Sequence, residues 1–236
     1  MTTPVRVPVG REFLHGDLSK PSNAQGLVVF AHGSGSSRYS PRNQHVAHVL
    51  EGSGLATLLI DLLTPDEEEI DQRTRHLRFD IPLLAGRLVA IVDWLKHQTD
   101  TESLTIGLFG ASTGGGAALM AAAARPQSIG AVVSRGGRPD LAHKILHVVK
   151  APTLLIVGGN DDVVIELNEQ ALRSLRCPKQ LVIIPGATHL FEEPGTLEEV
   201  ARLAKEWFTR HLTGRKRSPG EEVGRRFPHI DMDAQC

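Results

Sequence analysis

Three polar side chains, Ser112, an aspartate at Asp161 or its neighbour Asp162, and His189, carry the chemistry this sequence is best equipped for. Ser112 is the centre of Gly110-Ala111-Ser112-Thr113-Gly114, a G-x-S-x-G. A serine hydroxyl is a weak nucleophile near neutral pH. It attacks a carbonyl when a base in hydrogen-bond reach takes its proton and a third group fixes that base's tautomer. Of the histidines, only His189, His211 and His229 follow the acid, and only His189 sits on a loop directly after a strand-like run. The order Ser, acid, His is the one found where a G-x-S-x-G turn joins a strand to a helix.

The flanks of Ser112 fit that context. Residues 104–109 (LTIGLF) read as a short buried strand, and a helix of small residues follows and stops near Arg125-Pro126. In so tight a turn a side chain at either flanking position would collide with neighbouring strands, hence Gly110 and Gly114. The serine then stands at a helix N-terminus, where free N–H groups and the dipole favour an oxyanion. Other uses of these glycines lack their partners. A dehydrogenase-type dinucleotide turn needs Tyr-x-x-x-Lys downstream, but the only tyrosine is Tyr39, with Asn43 four residues on. A P-loop needs a lysine that is not there. A close-packed Gly/Ala helix without chemistry is the remaining alternative.

Acyl transfer also needs oxyanion donors. His32-Gly33-Ser34-Gly35-Ser36-Ser37 follows an apolar run, and the backbone N–H groups of Ser34 and Thr113 form the natural pair. His32 precedes the other candidates and is read as a brace for this loop. Arg38 and Arg42 flank the next helix start, and Arg135 and Arg138 bracket a Gly-Gly turn. These four are candidates to hold an anionic substrate group, with solvated surface charge as the competing reading. His143 and His147 have a zinc-pair spacing but no Glu between them and no third ligand, so no metal site is expected.

Positioning these groups requires a sheet. Apolar runs at 26–31, 55–63, 104–109, 129–134, 153–157 and 180–184 alternate with amphipathic stretches at about 41–51, 80–98, 164–175 and 195–212. That alternation predicts an α/β fold with a mostly parallel sheet covered on both faces, whose sites lie at the strands' C-terminal ends. Two short strands at 5–9 and 12–18 read as an antiparallel lead-in. Residues 64–78, rich in both charge signs, read as a solvated loop. One domain is expected over 1–213, followed by a polar, poorly ordered tail at 214–236.

Composition narrows the partners. The 236 residues carry a formal charge of -1 and 41% apolar residues, which gives no global pull toward nucleic acid or anionic membrane. No apolar leader or spanning run is present, and Cys177 and Cys236 form no disulfide framework. The expectation is a cytoplasmic protein without a cofactor, binding a small molecule and no nucleic acid or membrane, as a monomer or small homo-oligomer.

Residues 26–212 resemble the α/β-hydrolase superfamily, and within it the dienelactone hydrolase-like group. The resemblance is carried by HGSGSSRYSPRN, GASTGGGAAL, SRGGRPDL, LLIVGGNDDVVIELN and PGATHLFEEPGTLEEVA. It extends to a bacterial subgroup whose hydrolase domain is sometimes fused to a phosphoribosyltransferase domain, of which no signature is visible here. Many members carry Gly-x-x-Asp-x-Val-Val, and the register on Gly158, Val163 and Val164 places the acid at Asp161, leaving Asp162 to open a helix. The resemblance implies about seven or eight strands, little or no cap, and an open site cleaving a carboxylic ester, lactone or thioester. True dienelactone hydrolases use cysteine where this chain has Ser112, which favours a general serine esterase over a dienelactonase. A catalytically silent binding module on the same fold is the alternative.

Overall fold

The computed structural model describes residues 2–213. The expected tail and Cys236 lie outside the described residues. The apolar runs become strands: β1 (Thr2–Val9), β2 (Glu12–Ser19), β3 (Gly26–Ala31), β4 (Ala56–Ile60), β5 (Thr105–Ala111), β6 (Ile129–Arg135), β7 (Thr153–Gly158) and β8 (Lys179–Ile184). They form one eight-stranded sheet in the order β1-β2-β4-β3-β5-β6-β7-β8. β1 pairs antiparallel with β2, and β2 with β4, while every pair from β4 to β8 is parallel. This is the α/β-hydrolase arrangement. The central strands β3 and β7 are buried along their whole length, as continuous apolar runs require when helices cover both faces.

The helices are α1 (Pro41–Glu51), α2 (Pro65–Thr74), α3 (Ile81–Leu95), α4 (Thr113–Ala124), α5 (Asp162–Ser174) and α6 (Thr196–Leu212). α1 and α6 close one face over Phe30, Phe109 and the inward side of β6 and β7. α3 and α4 close the other over Leu27, Val29, Ile106 and Leu108. The core is mostly aliphatic, and its buried aromatics, Phe30, Phe109, Phe191, Trp207 and Phe208, fall in the cluster under α1 and α6, with the Phe30 and Phe109 rings 4.9 Å apart.

Local chemistry sets the helix starts. Ser40 caps α1, its side chain accepting from the Asn43 N–H, and Pro41 opens the first turn. Residues 64–78 are not the expected loop. Thr64 and Glu67 form a reciprocal capping box that starts α2, and a 3₁₀ turn at Leu77–Phe79 follows. Asp71, nearly fully buried, accepts from the Leu77 N–H and from Arg78 Nε at 2.5 Å, which ties α2 to the 3₁₀ turn, and Arg87 of α3 reaches Glu67 at 2.5 Å and joins the segment to the body. No helix among the described residues is long and apolar enough to cross a membrane.

Candidate active site

The turn around Ser112 is built by contact distances. A Cβ on Gly114 would stand 2.2 Å from the Ala31 carbonyl oxygen of β3, so only glycine lets α4 leave the sheet there. At Gly110 the obstacle is not a neighbouring strand but the start of α4 itself, with the Gly114 oxygen 2.5 Å from the point a Cβ would occupy. Between them Ser112 adopts φ 51° and ψ -122°, a region that non-glycine residues rarely occupy. The strain is held by two backbone hydrogen bonds. The Ser112 N–H donates to the Arg135 oxygen at 3.2 Å, and the Ser112 oxygen accepts from the Arg138 N–H at 3.0 Å.

Asp161 and His189 arrive on the neighbouring strand ends. Gly158 ends β7 with the Ala187 and Thr188 oxygens only 2.5 and 2.6 Å from where its Cβ would be, so the loop after β8 folds tightly onto the loop after β7. The Asn160 N–H donates to the Ala187 oxygen at 2.9 Å and fixes that contact. His189 Nδ1 then lies 2.6 Å from Asp161 Oδ2. Asp161 occupies the N-cap position of α5, yet its side chain makes no cap bond; its carboxylate goes to the imidazole instead. Asp162 is the first helical residue and is exposed. A carboxylate at Nδ1 favours the tautomer with its proton there and directs Nε2 to the other side of the ring as an acceptor. Among the described residues no hydrogen bond joins Ser112 Oγ to the ring; both residues line one cavity of about 220 Å³. Resting sites often close this contact only on substrate.

The two expected oxyanion donors differ. The Thr113 N–H, in the first turn of α4, has no intrahelical acceptor. The Ser34 N–H is already engaged, donating to Thr113 Oγ1 at 3.0 Å. An oxyanion must share or displace that bond. His32 braces the loop as expected: its Nε2 accepts from the Leu62 N–H at 3.2 Å and Nδ1 meets the Gly33 oxygen at 3.0 Å. Burial holds its pKa below 6.5, against the Gly33 bond and the charges of Asp61 and Glu68, so the ring is neutral near pH 7.

The structure sorts the four arginines. Arg38 pairs with Asp61 and Asp17 and lines a separate cavity of about 420 Å³ that contains neither Ser112 nor His189. Arg138 is forked onto Asp140 at 2.7 and 2.8 Å. Neither is at the site. Arg42 and Arg135 do line the Ser112 cavity. Arg42 reaches the exposed Glu192 at 3.1 Å. Arg135 is 7% exposed, and no carboxylate pairs with it among the described residues. Desolvation, then the Arg42 charge, lowers its pKa to about 10, so it remains a cation at neutral pH.

Ser112 and His189 thus face the smaller of these two cavities and not the larger. Ser36, Ser40, Asn43 and Leu190 also line that smaller cavity and were not singled out from sequence. Ser40 and Asn43 had a signal, a cap residue and a polar residue in the first turn of a helix that follows a glycine loop. No part of α2 lines the Ser112 cavity, so the 64–78 insertion is not a lid over it. No cluster of metal ligands exists among the described residues, and His143 is exposed.

Comparison with known proteins agrees with this architecture. A dienelactone hydrolase from Anabaena variabilis is 66% identical and superposes with a TM-score of 0.89 over 90% of this chain and 98% of its own. A putative phosphoribosyl transferase from Mycobacterium tuberculosis is 59% identical over 210 residues, 89% of this chain but 46% of the relative. The chain thus spans about half the length of the curated relatives it matches. Est1E from Butyrivibrio proteoclasticus, with ferulic acid bound, shares the fold at 18% identity and a TM-score of 0.75, covering 88% of this chain and 98% of that one. Residues 14–213 match the sequence profile of one family, and on that match this chain belongs to the dienelactone hydrolase family.

Proposed function

We propose that this chain is a serine hydrolase that cleaves a carboxylic ester, lactone or thioester through an acyl-enzyme. The observation that carries the reading is the 2.6 Å Asp161–His189 contact beside a serine at positive φ, both His189 and Ser112 lining one cavity. His189 Nε2 takes the proton of Ser112 as Oγ bonds to the carbonyl carbon. Asp161 stabilises the imidazolium that forms. The Thr113 N–H receives the oxyanion, and Ser34 joins it when its bond to Thr113 Oγ1 is shared. Collapse breaks the bond to the leaving group, which takes the proton from His189. Water, deprotonated by His189, then attacks the acyl carbon, and Ser112 leaves with its proton restored.

A family cysteine would be a thiolate nucleophile; a serine in its place relies more heavily on the base. The relevant test is fluorophosphonate labelling followed by peptide mass spectrometry. Labelling is expected at Ser112 and lost in Ser112→Ala and in His189→Ala. A folded wild type that takes no label, and hydrolyses no ester in a panel, sinks the reading in favour of a silent binding module. The occupied Ser34 N–H is the feature that alternative would point to.

A further inference from the structure

Arg135 is costly where it stands. It ends β6 paired with Ala111, and its carbonyl accepts the Ser112 N–H, so it is beside the nucleophile by backbone register. Its guanidinium is more than nine-tenths buried and has only partial satisfaction: a 3.5 Å contact to the Leu190 oxygen and the Phe191 ring at 5.7 Å. Its Nε has no hydrogen-bond partner, and neither has the buried Nε of Arg42. Two like charges thus share one cavity wall, and the carboxylate that pairs with Arg42, Glu192, is exposed. A buried cation left uncompensated destabilises a fold, so such a residue calls for an anion that arrives with the ligand.

The lining favours one anion. Ser34, Ser36 and Ser40 face the same cavity, and the first turn of α1 abuts it. Two guanidinium groups and three serines offer more donors than the two oxygens of a carboxylate accept, and they match a dianion with three oxygens. We infer that the cavity takes a substrate bearing a phosphoryl group, held by Arg135 with Arg42 beside it. The phosphoryl group is a handle and undergoes no chemistry. The inference takes the cleaved bond from the serine hydrolase reading, but the grip itself does not depend on catalysis.

The test is calorimetric titration of the full chain with propylphosphonate and, as the carboxylate of matched length, butanoate. Propylphosphonate is expected to bind wild type at least about ten-fold more tightly than butanoate. Arg135→Met is expected to weaken it by about 10- to 100-fold, as loss of a charged hydrogen bond does, with partial rescue in Arg135→Lys. Arg42→Gln should show a smaller loss and guards against a misfolded Arg135 variant. Propylphosphonate must also slow fluorophosphonate labelling of Ser112 if it sits in this cavity. Butanoate binding as tightly, or propylphosphonate binding untouched by both variants, overturns the inference. Labelling of Ser112 without phosphonate binding refutes the handle and spares the hydrolase. Arg135-dependent phosphonate binding without labelling or turnover does the reverse.

Discussion

Replacing Asp161 by asparagine isolates the orienting group from everything else at the site. The side chain keeps its size and its place at the head of α5, so packing is unchanged. Only the pairing across the 2.6 Å contact with His189 Nδ1 changes. As a carboxylate, Asp161 can only accept, which forces the proton onto Nδ1 and leaves Nε2 free to take the serine proton. An amide can instead donate to Nδ1, which moves the ring proton to Nε2 and presents a donor to Ser112. The charge that stabilises the imidazolium is lost as well. The comparable change in serine proteases lowers kcat by about 10⁴, which corresponds to roughly 5 kcal/mol of barrier. The control is Asp162→Asn, one residue on, where an exposed carboxylate in the first turn of α5 contributes at most about 1 kcal/mol through the helix dipole and touches no reacting atom. The assay is steady-state hydrolysis of 4-nitrophenyl acetate, with thermal melting to confirm the fold. Asp161→Asn should lose three to four orders of magnitude in kcat, roughly as the protease precedent gives, while Asp162→Asn stays within about two-fold. A rate for Asp161→Asn within ten-fold of wild type, or equal damage from both changes, would refute the assignment.

Two further outcomes follow from packing and from titration. Gly114→Ala places a Cβ 2.2 Å from the Ala31 oxygen and should cost about 3 kcal/mol or more in urea unfolding, whereas Gly86→Ala in α3, with nothing within 4 Å, should be neutral or gain up to about 1 kcal/mol. Equal effects would show that the turn has more freedom than the geometry gives it. His32 titrates below the ordinary histidine value of 6.5 because it is buried, so stability is full above that pH and is lost as pH falls through the lowered folded value. Melting curves from about pH 8 to pH 4.5 should therefore steepen for wild type relative to His32→Asn by up to about 1.4 kcal/mol per pH unit, and parallel profiles would remove His32 from the account.

The sheet and the order of the candidate Ser, Asp and His were legible because both rest on local patterns. Continuous apolar runs specify strands buried on both faces, and Ser112, Asp161 and His189 fall three to five positions after such runs. The choice of Asp161 over Asp162 rests on the register of the family pattern, and in the structure it is Asp161 whose carboxylate meets His189. What escaped was decided by distant partners. Nothing in the local sequence shows that the Thr113 hydroxyl claims the Ser34 N–H, because the two meet only once β3 and β5 lie side by side. The arginines could not be sorted for the same reason: Arg38 finds Asp17 on β2 and Asp61 after β4, and those strands must first pair. The helix at Pro65–Thr74 is a different failure, since Thr64 and Glu67 spell a capping box that the density of charges obscured.

Two unfavourable features of the molecule meet at one pair of strand ends. Ser112 holds a strained backbone, and Arg135 holds a buried charge without a carboxylate. The two are joined directly, the N–H of the first donating to the carbonyl of the second. Neither is explained by stability, because either could be relieved by a single substitution, glycine at 112 or an aliphatic residue at 135. Strain of about 1–3 kcal/mol at the serine is offset by the aliphatic layers on both faces of β5 and β6. The same rigidity keeps Arg135 from swinging out to water, since Phe191 and Leu190 cover it on the loop that also carries His189. A ligand anion that satisfied Arg135 would therefore press on the His189 loop as well. The grip proposed at Arg135 thus borders the segment that carries His189, through the Leu190 oxygen and the Phe191 ring.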